Sequence, residues 1–287
     1  MNEIQKLNNV IDEIDRIADE HWVSNLDDRK LKELQFHDRD RQNMGSDNQV
    51  DQASEGDTFE KFYGNKKYYS VVQRSNDYVE NWIKTEAKDK VFLDYACGNG
   101  TNARLAAKNG ALLSLGLDIS SVSIENAKKF AAEENLENVR FFQADAENTL
   151  LEENSIDAII CSGMLHHLDL SYAFPELRRI LKPGGKILAV EALDYNPAIK
   201  FYRWLTPDMR TEWEKAHILS FKDIKFAKRF FNIGQIKFWH VIGYVAGKFP
   251  ILLKPIELID RALEKIPFVR MMSWIFTFEL IKEENND

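Results

Sequence analysis

Three aspartates of this chain stand at or near the ends of short apolar runs. Asp94, Asp118 and Asp145 close the runs VFLDY, LLSLGLD and VRFFQAD. In an open parallel sheet, ligands bind outside the carboxyl ends of the strands. The aspartate of the second run lies 24 residues after that of the first, a spacing that suits a carboxylate accepting hydrogen bonds from both hydroxyls of a ribose. The pattern therefore indicates a site for a nucleoside-containing ligand.

A glycine-containing turn follows the first run and fits two kinds of nucleotide site. Residues 98–103 (GNGTNA) match the G-x-G-x-x-A pattern, whose backbone amides bind a pyrophosphate. Residues 94–100 (DYACGNG) are instead an acid followed by small residues at every second position. The Asp94 carboxylate would repel a pyrophosphate but suits an ammonium group. Since S-adenosylmethionine is a nucleoside with an amino-acid arm, we expect it to be the cofactor.

Histidines are the candidates for proton transfer. Methyl transfer from a sulfonium is an in-line displacement, which needs a base only where the acceptor loses a proton. His166 and His167 follow the fourth apolar run, and His217 lies beyond the fifth. All three are candidate catalytic residues, with a structural role for one of the adjacent pair as the alternative. Adjacent side chains on a helix diverge, so we expect no metal site.

Five apolar runs alternate with helical stretches over residues 90–193. Such alternation, with nearly continuous apolar strands, is typical of a parallel sheet covered on both faces. The pattern predicts an α/β fold with a doubly wound sheet. The predicted strands are residues 91–95, 112–118, 139–145, 156–162 and 186–192, separated by amphipathic segments such as 121–134 and 172–181.

The regions on either side of this core have other patterns. An apolar stripe at helical spacing, from Ile4 to Ala18, predicts an N-terminal helix. A polar stretch, residues 38–57, predicts a loop. After the core we predict helices, two more strands with the last antiparallel, and a helical insert between those strands. The elements after the core are residues 198–205 and 221–231 (helices), 235–241 (strand), 242–266 (insert) and 272–281 (strand); a further helix, residues 68–84, is predicted before the core.

Charge is unevenly distributed. Residues 1–60 hold 16 acidic and 7 basic residues, whereas residues 199–270 hold 14 basic and 7 acidic ones. Two solvated surfaces of opposite sign would explain this, but so would a basic region that meets an anionic or amphiphilic acceptor. Four of the six tryptophans follow residue 200. The net charge of −8 argues against general nucleic-acid binding.

The two cysteines and the longest apolar stretch indicate where in the cell the protein is located. Cys97 and Cys161 are too few for a disulfide framework, which fits a reducing cytoplasm; we interpret them as small core residues. Residues 238–253 are too short and too interrupted to span a bilayer. The basic insert is expected to be an ordinary buried element, with peripheral membrane contact or a lipid-like acceptor as the alternative.

The five motifs VFLDYACGNG, LGLDIS, FFQADAE, IDAIICSGMLHHL and LKPGGKILAVE, in this order, resemble the class I S-adenosylmethionine-dependent methyltransferases. Within them the chain is most similar to the small-molecule branch that includes enzymes of ubiquinone and menaquinone biosynthesis. The resemblance covers about residues 68–195. It implies a Rossmann-like seven-stranded sheet and methyl transfer to a small-molecule acceptor. The alternatives are a nicotinamide-dependent oxidoreductase and a non-catalytic S-adenosylmethionine-binding protein.

The resemblance also implies roles for individual residues. Asp94 and the turn Ala96, Cys97, Gly98, Asn99 and Gly100 would hold the methionine arm, and Asp118 the ribose, with Ile119 on the adenine. Asp145 and Ala146 would hold the adenine edge, and Ser162 with Met164 would line the sulfonium. The family usually has glycine at the position of Ala96, which is tolerated if its φ is negative.

The chain is thus divided into three parts. Residues 1–67, an N-terminal helix and a polar loop, are expected to form a cap over the cofactor. Tyr69 and Arg74, which follow the cap, are expected to contact the cofactor. Residues 68–195 are the cofactor-binding core. Residues 196–287 shape the acceptor pocket, chiefly through the aromatic residues Phe201, Tyr202, Trp204, Trp213, Trp239 and Tyr244.

Overall fold

A mixed sheet lies at the centre of the computed structural model, which describes residues 2–17, 19–41, 71–247 and 250–284. Seven strands form it: β1 (Val91–Tyr95), β2 (Leu113–Asp118), β3 (Val139–Gln143), β4 (Ile156–Ser162), β5 (Leu181–Ala192), β6 (Asn232–Trp239) and β7 (Ile275–Ile281). Their order is β3-β2-β1-β4-β5-β7-β6. β1 to β5 are parallel, and β7 is antiparallel to both neighbours. The predicted seven-stranded, doubly wound sheet is confirmed.

The central strands owe their apolar sequence to burial on both faces. All five residues of β1 are buried, including the carboxylate-bearing Asp94. β5 begins earlier than predicted, because Leu181 already pairs with Ile156 before a shift in register. The KPGG segment, residues 182–185, therefore lies inside the paired strand as a local irregularity.

Helices cover the two faces of the sheet. The N-terminal and core helices are α1 (Glu3–Ile14), α2 (Asp19–Ser24), α3 (Asp28–Arg41), α4 (Gln73–Glu86), α5 (Thr101–Lys108), α6 (Ser121–Glu133) and α7 (Leu170–Ile180). α1 buries Leu7, Ile11 and Ile14 in the main apolar cluster with residues of β1, β2 and β4. The predicted N-terminal helix thus packs on the sheet, and its last predicted residue, Ala18, is outside the described ranges.

The predicted polar loop is wrong at its start. Residues 38–41 continue α3 as helix, and residues 42–57 lie outside the described ranges. The charged sequence of α3 lacks the apolar stripe that usually identifies a helix. Its position depends on polar contacts described below.

The C-terminal part supplies further helices and the last strands. These helices are α8 (Pro197–Leu205), α9 (Glu212–His217), α10 (Phe221–Ala227) and α11 (Leu253–Leu263). The insert between β6 and β7 is only partly buried: Ile256 is covered, but Ile251 and Leu258 are exposed. The expectation of an ordinary buried insert is therefore not met. Within the described ranges, no helix is both long and apolar enough to cross a membrane.

Ala96 corrects one expectation about the turn after β1. Its φ is +55°, in the left-handed region where a Cβ is unfavourable. The two glycines that follow, Gly98 and Gly100, also have positive φ, and a Cβ at Gly100 would collide with the ring of Phe141. The turn therefore has glycine at position 100, where a Cβ would not fit, and its backbone is strained at Ala96.

We expect Ala96→Gly to raise the free energy of unfolding by about 1 kcal/mol, because glycine adopts positive φ without steric cost. Urea unfolding followed by circular dichroism would measure this. Ala262→Gly, the same chemical change at an exposed position in the last turn of α11, should instead lower stability, by less than about 1 kcal/mol. Equal effects of the two substitutions would show that Ala96 carries no strain.

Candidate active site

A cavity of about 830 Å³, including its open mouth, lies at the carboxyl ends of the strands beneath α3. This is where a doubly wound sheet binds its ligand. Many of the predicted site residues line it: Ala96, Asp118, Ile119, Asp145, Ala146, Ser162, Met164 and His167.

Asp118, at the end of β2, connects two loops at the cavity wall. Its Oδ2 accepts a hydrogen bond from the Gly98 amide at 2.8 Å, and its Oδ1 accepts one from the Ser120 amide at 2.9 Å. These bonds fix the carboxylate against the glycine turn. Each oxygen keeps further acceptor capacity, so the side chain can also accept from a ribose hydroxyl.

Asp94 lies deeper than the cavity lining. Its carboxylate accepts hydrogen bonds from the Ala103 amide (3.1 Å) and the Asn102 side chain (3.4 Å), both in the first turn of α5. Burial raises the pKa of Asp94 to about 7, although these hydrogen bonds lower it. The contacts are those of a helix cap, and contact with a methionine ammonium stays a prediction. The same holds for Cys97, Gly98, Asn99 and Gly100, which form the turn but do not line the cavity.

Two cations of α3 attach this helix to the loop after β3. Arg29 donates to both oxygens of Glu147, at 2.7 and 2.8 Å. Lys30 pairs with Asp145 at 2.5 Å and with Glu147 at 2.9 Å. Burial alone would lower the pKa of Lys30, but the two carboxylates more than offset this and raise it. α3 is thus fixed as a roof over the cavity.

The far end of α3 contacts the loop after β2. The Ser120 hydroxyl donates to Asp38 at 2.5 Å, and burial raises the pKa of Asp38 despite this bond. Between its two ends, α3 presents Glu33, Leu34 and His37 to the cavity. The sequence analysis missed all of these α3 residues. The signal available in the sequence is the spacing of acidic and basic residues over this 14-residue segment. That spacing does not distinguish a helix packed over a cavity from a solvated helix.

The three candidate histidines are separated by the structure. His167 lines the cavity, and its Nδ1 is 2.8 Å from Glu33 Oε2. His166 turns away, with its Nδ1 2.6 Å from Glu191 Oε2. His217 lies outside this cavity and stacks on Trp213 with ring centroids 3.7 Å apart. Of the three, His167 alone lines the first cavity.

Glu191, at the end of β5, also positions the loop after β4. Its Oε1 accepts from the amides of Met164 (2.9 Å) and Leu165 (2.7 Å). Nearby, burial raises the pKa of Glu214, partly offset by His167. The loop that carries Ser162, Met164 and His167 is therefore held from beneath by one buried carboxylate.

One predicted cofactor contact, Arg74, does not line the cavity. Arg74 forms an ion pair with Glu264 at 2.6 Å, and its guanidinium lies over the Trp239 ring. It connects α4 to the C-terminal insert, and its prediction as a cofactor contact is corrected accordingly. Tyr69 lies outside the described residues.

Comparisons with known proteins identify the core. Residues 93–189 match the family model described as "Methyltransferase domain". An uncharacterized methyltransferase, YcgJ of Bacillus subtilis (strain 168), is 37% identical over 100 residues, which are 34% of this chain and 39% of that protein. The ubiquinone biosynthesis O-methyltransferase of Acinetobacter baumannii (strain AYE) is 26% identical over 142 residues, 48% of this chain and 59% of that protein.

A solved structure extends the likeness in fold. Geranyl diphosphate methyltransferase in complex with GPP and sinefungin superposes with a TM-score of 0.53 and is 16% identical in sequence. The superposition covers 82% of this chain and 87% of that one. The chain spans less than two thirds of the length of the curated relatives above. The central region of the chain, residues 93–189, is therefore similar to methyltransferase domains.

Proposed function

We propose that the whole chain transfers a methyl group from S-adenosylmethionine to a small-molecule acceptor. The observation that carries this proposal is the shared cavity. Asp118 and Asp145, which suit the nucleoside, line the same space as Ser162, Met164 and His167. A cofactor bound along the strand ends would place its sulfonium near His167. Alignment of the acceptor with the methyl group supplies much of the rate, so we assign His167 to contact with the acceptor.

The acceptor is anionic or amphiphilic. A second open cavity of about 1070 Å³ shares Arg29 and Glu33 with the first. Its lining holds three cations, two acids and the aromatic rings of Phe36 and Trp213. Two of the cations, Arg29 and Arg210, are also paired with Glu147 and Glu214. Cations beside aromatic rings suit an anionic group attached to an apolar body. The lining residues are Arg29, Lys32, Glu33, Phe36, Arg210, Thr211, Glu212, Trp213 and His217.

The two alternatives receive no support. A nicotinamide-dependent oxidoreductase would need the pyrophosphate register of the glycine turn, whereas the matching family and the named relatives are methyltransferases. A non-catalytic binder would have a filled or absent acceptor space, whereas His167 lines an open cavity. The proposal also includes the three-part division of the chain and a cytoplasmic location, which the two free thiols fit.

Asp118→Asn should weaken binding of S-adenosylhomocysteine by about 1–3 kcal/mol, because the amide replaces a charged acceptor of hydrogen bonds. Calorimetric titration would measure the dissociation constant. Asp77→Asn, a change on the exposed side of α4 where Asp77 accepts a hydrogen bond from the Gln73 side chain, is the matched control and should bind like the wild type. Preference of the wild type for NADH over S-adenosylhomocysteine would contradict the proposal.

His167→Ala should lower methyl transfer about 100-fold, since a misplaced acceptor loses alignment with the methyl group, while S-adenosylhomocysteine still binds. Labelled S-adenosylmethionine incubated with fractionated small-molecule pools would report transfer. His217→Ala, outside the first cavity, should have a smaller effect. Full activity of His167→Ala would contradict its assignment.

We also propose that the insert contacts an anionic lipid surface. Ile251, Leu258 and Phe268 are 90%, 72% and 81% exposed, and Lys254, Arg261 and Lys265 lie between them in the sequence. Exposed apolar side chains together with cations are typical of interfacial segments.

Ile251→Ser combined with Phe268→Ser should reduce the fraction of protein that floats with phosphatidylglycerol vesicles, because apolar contact with the acyl chains is lost. Flotation of the wild type should weaken at 1 M salt, where charge attraction is screened. Leu112→Ser, at an exposed position before β2, is the matched control. Equal flotation with neutral and anionic vesicles, or none with either, would overturn the contact.

A further inference from the structure

Three potential metal ligands converge at the wall of the first cavity. Glu33 and His37 come from α3, and His167 comes from the turn after β4. One ligand atom from each lies within 4.8 Å of the other two. Residues four apart share one face of a helix, so α3 presents Glu33 and His37 together toward His167.

The distances are close to those of a coordination shell. His167 Nδ1 is 2.8 Å from Glu33 Oε2, and His37 Nε2 is 3.8 Å from the same oxygen. Ligand atoms around a cation at bonds of about 2.1 Å lie roughly 3–3.5 Å apart. Side-chain shifts of less than about 1 Å would therefore bring all three onto one ion.

The surroundings orient these ligands. Glu33 is buried, and its Oε1 accepts a hydrogen bond from the Thr211 hydroxyl, so Oε2 is directed to the histidines. Arg29 donates to the backbone carbonyl of His167 at 2.9 Å, which fixes the turn. Outer partners of this kind hold ligands in position at metal sites.

The local charge balance permits a cation. The two nearest cations of α3, Arg29 and Lys30, are paired with Glu147 and Asp145. Glu214, 4.0 Å from the neighbouring His166, is paired with Arg210 at 3.5 Å. Glu33 is therefore not neutralised by a lysine or arginine among the ion pairs of the described residues.

We propose that Glu33, His37 and His167 bind one divalent transition-metal ion of the zinc or ferrous type. Two imidazoles with one carboxylate favour such ions over magnesium or calcium. All three side chains line the cavity, so the open coordination positions face the acceptor. The expectation of no metal site considered only the adjacent histidine pair, whereas the partner of His167 comes from α3.

The ion would take an oxygen of the acceptor as a further ligand. A metal lowers the pKa of a coordinated hydroxyl, so it would favour acceptors with a hydroxyl or carboxylate. This role rests on the proposed methyl transfer, but metal binding itself does not.

Titration of the chelator-treated full chain with Co²⁺ tests the site, because visible absorption reports nitrogen coordination; Zn²⁺ is then added as competitor. We expect one equivalent of Co²⁺ bound and displaced by Zn²⁺. His37→Ala and His167→Ala should each weaken binding at least about tenfold. His21→Ala, at an exposed position on α2, is the matched control and should bind like the wild type.

S-adenosylhomocysteine binding, measured on the same samples, shows that the variants are folded and separates the two proposals. Absence of stoichiometric Co²⁺ binding by the wild type, or equal binding by all three variants, overturns the metal site even where the nucleoside binds. Metal binding without any adenosyl binding would overturn the proposed function and leave the metal site intact.

Discussion

The path of the chain from β3 to β4 is the constraint on which the site depends. β2 and β3 lie on one side of β1, and β4 and β5 lie on the other. The connections that follow β1 and β4 therefore leave toward opposite sides and open a crevice at the carboxyl ends. The turn at Ala96 and the loop at Ser162 face each other across this crevice. Residues far apart in the sequence meet there because the strands are parallel.

Charge, rather than apolar packing, fixes the roof of the crevice. Arg29 and Lys30 are paired with Glu147 and Asp145. Such pairs lose hydration on burial, so they add little net stability, but breaking one partner leaves a costly buried charge. They consequently determine where α3 lies more than how stable the fold is. An aspartate expected at the adenine edge thereby also holds the roof.

Two buried glutamates give adjacent histidines different surroundings. Glu191, from β5, binds His166 and the backbone beneath it, whereas Glu33, from α3, binds His167 at the cavity. A histidine takes its orientation and tautomer from the hydrogen bond at its other nitrogen. The sheet therefore holds one imidazole for structure, and the roof helix holds the other beside the proposed acceptor.

The sequence by itself determined the sheet and the order of its chemistry-bearing turns, and it predicts the class of cofactor. Apolar runs bounded by Asp94, Asp118 and Asp145 predict strand ends, because strand burial and turn chemistry are local properties. It did not determine the left-handed φ of Ala96, the helix over residues 28–41 or the pairing of Arg74 with Glu264. Only the tertiary structure decided which histidine faces the cavity. Glu33 and His167 are 134 residues apart, and no local pattern encodes a contact that depends on the path of the whole chain.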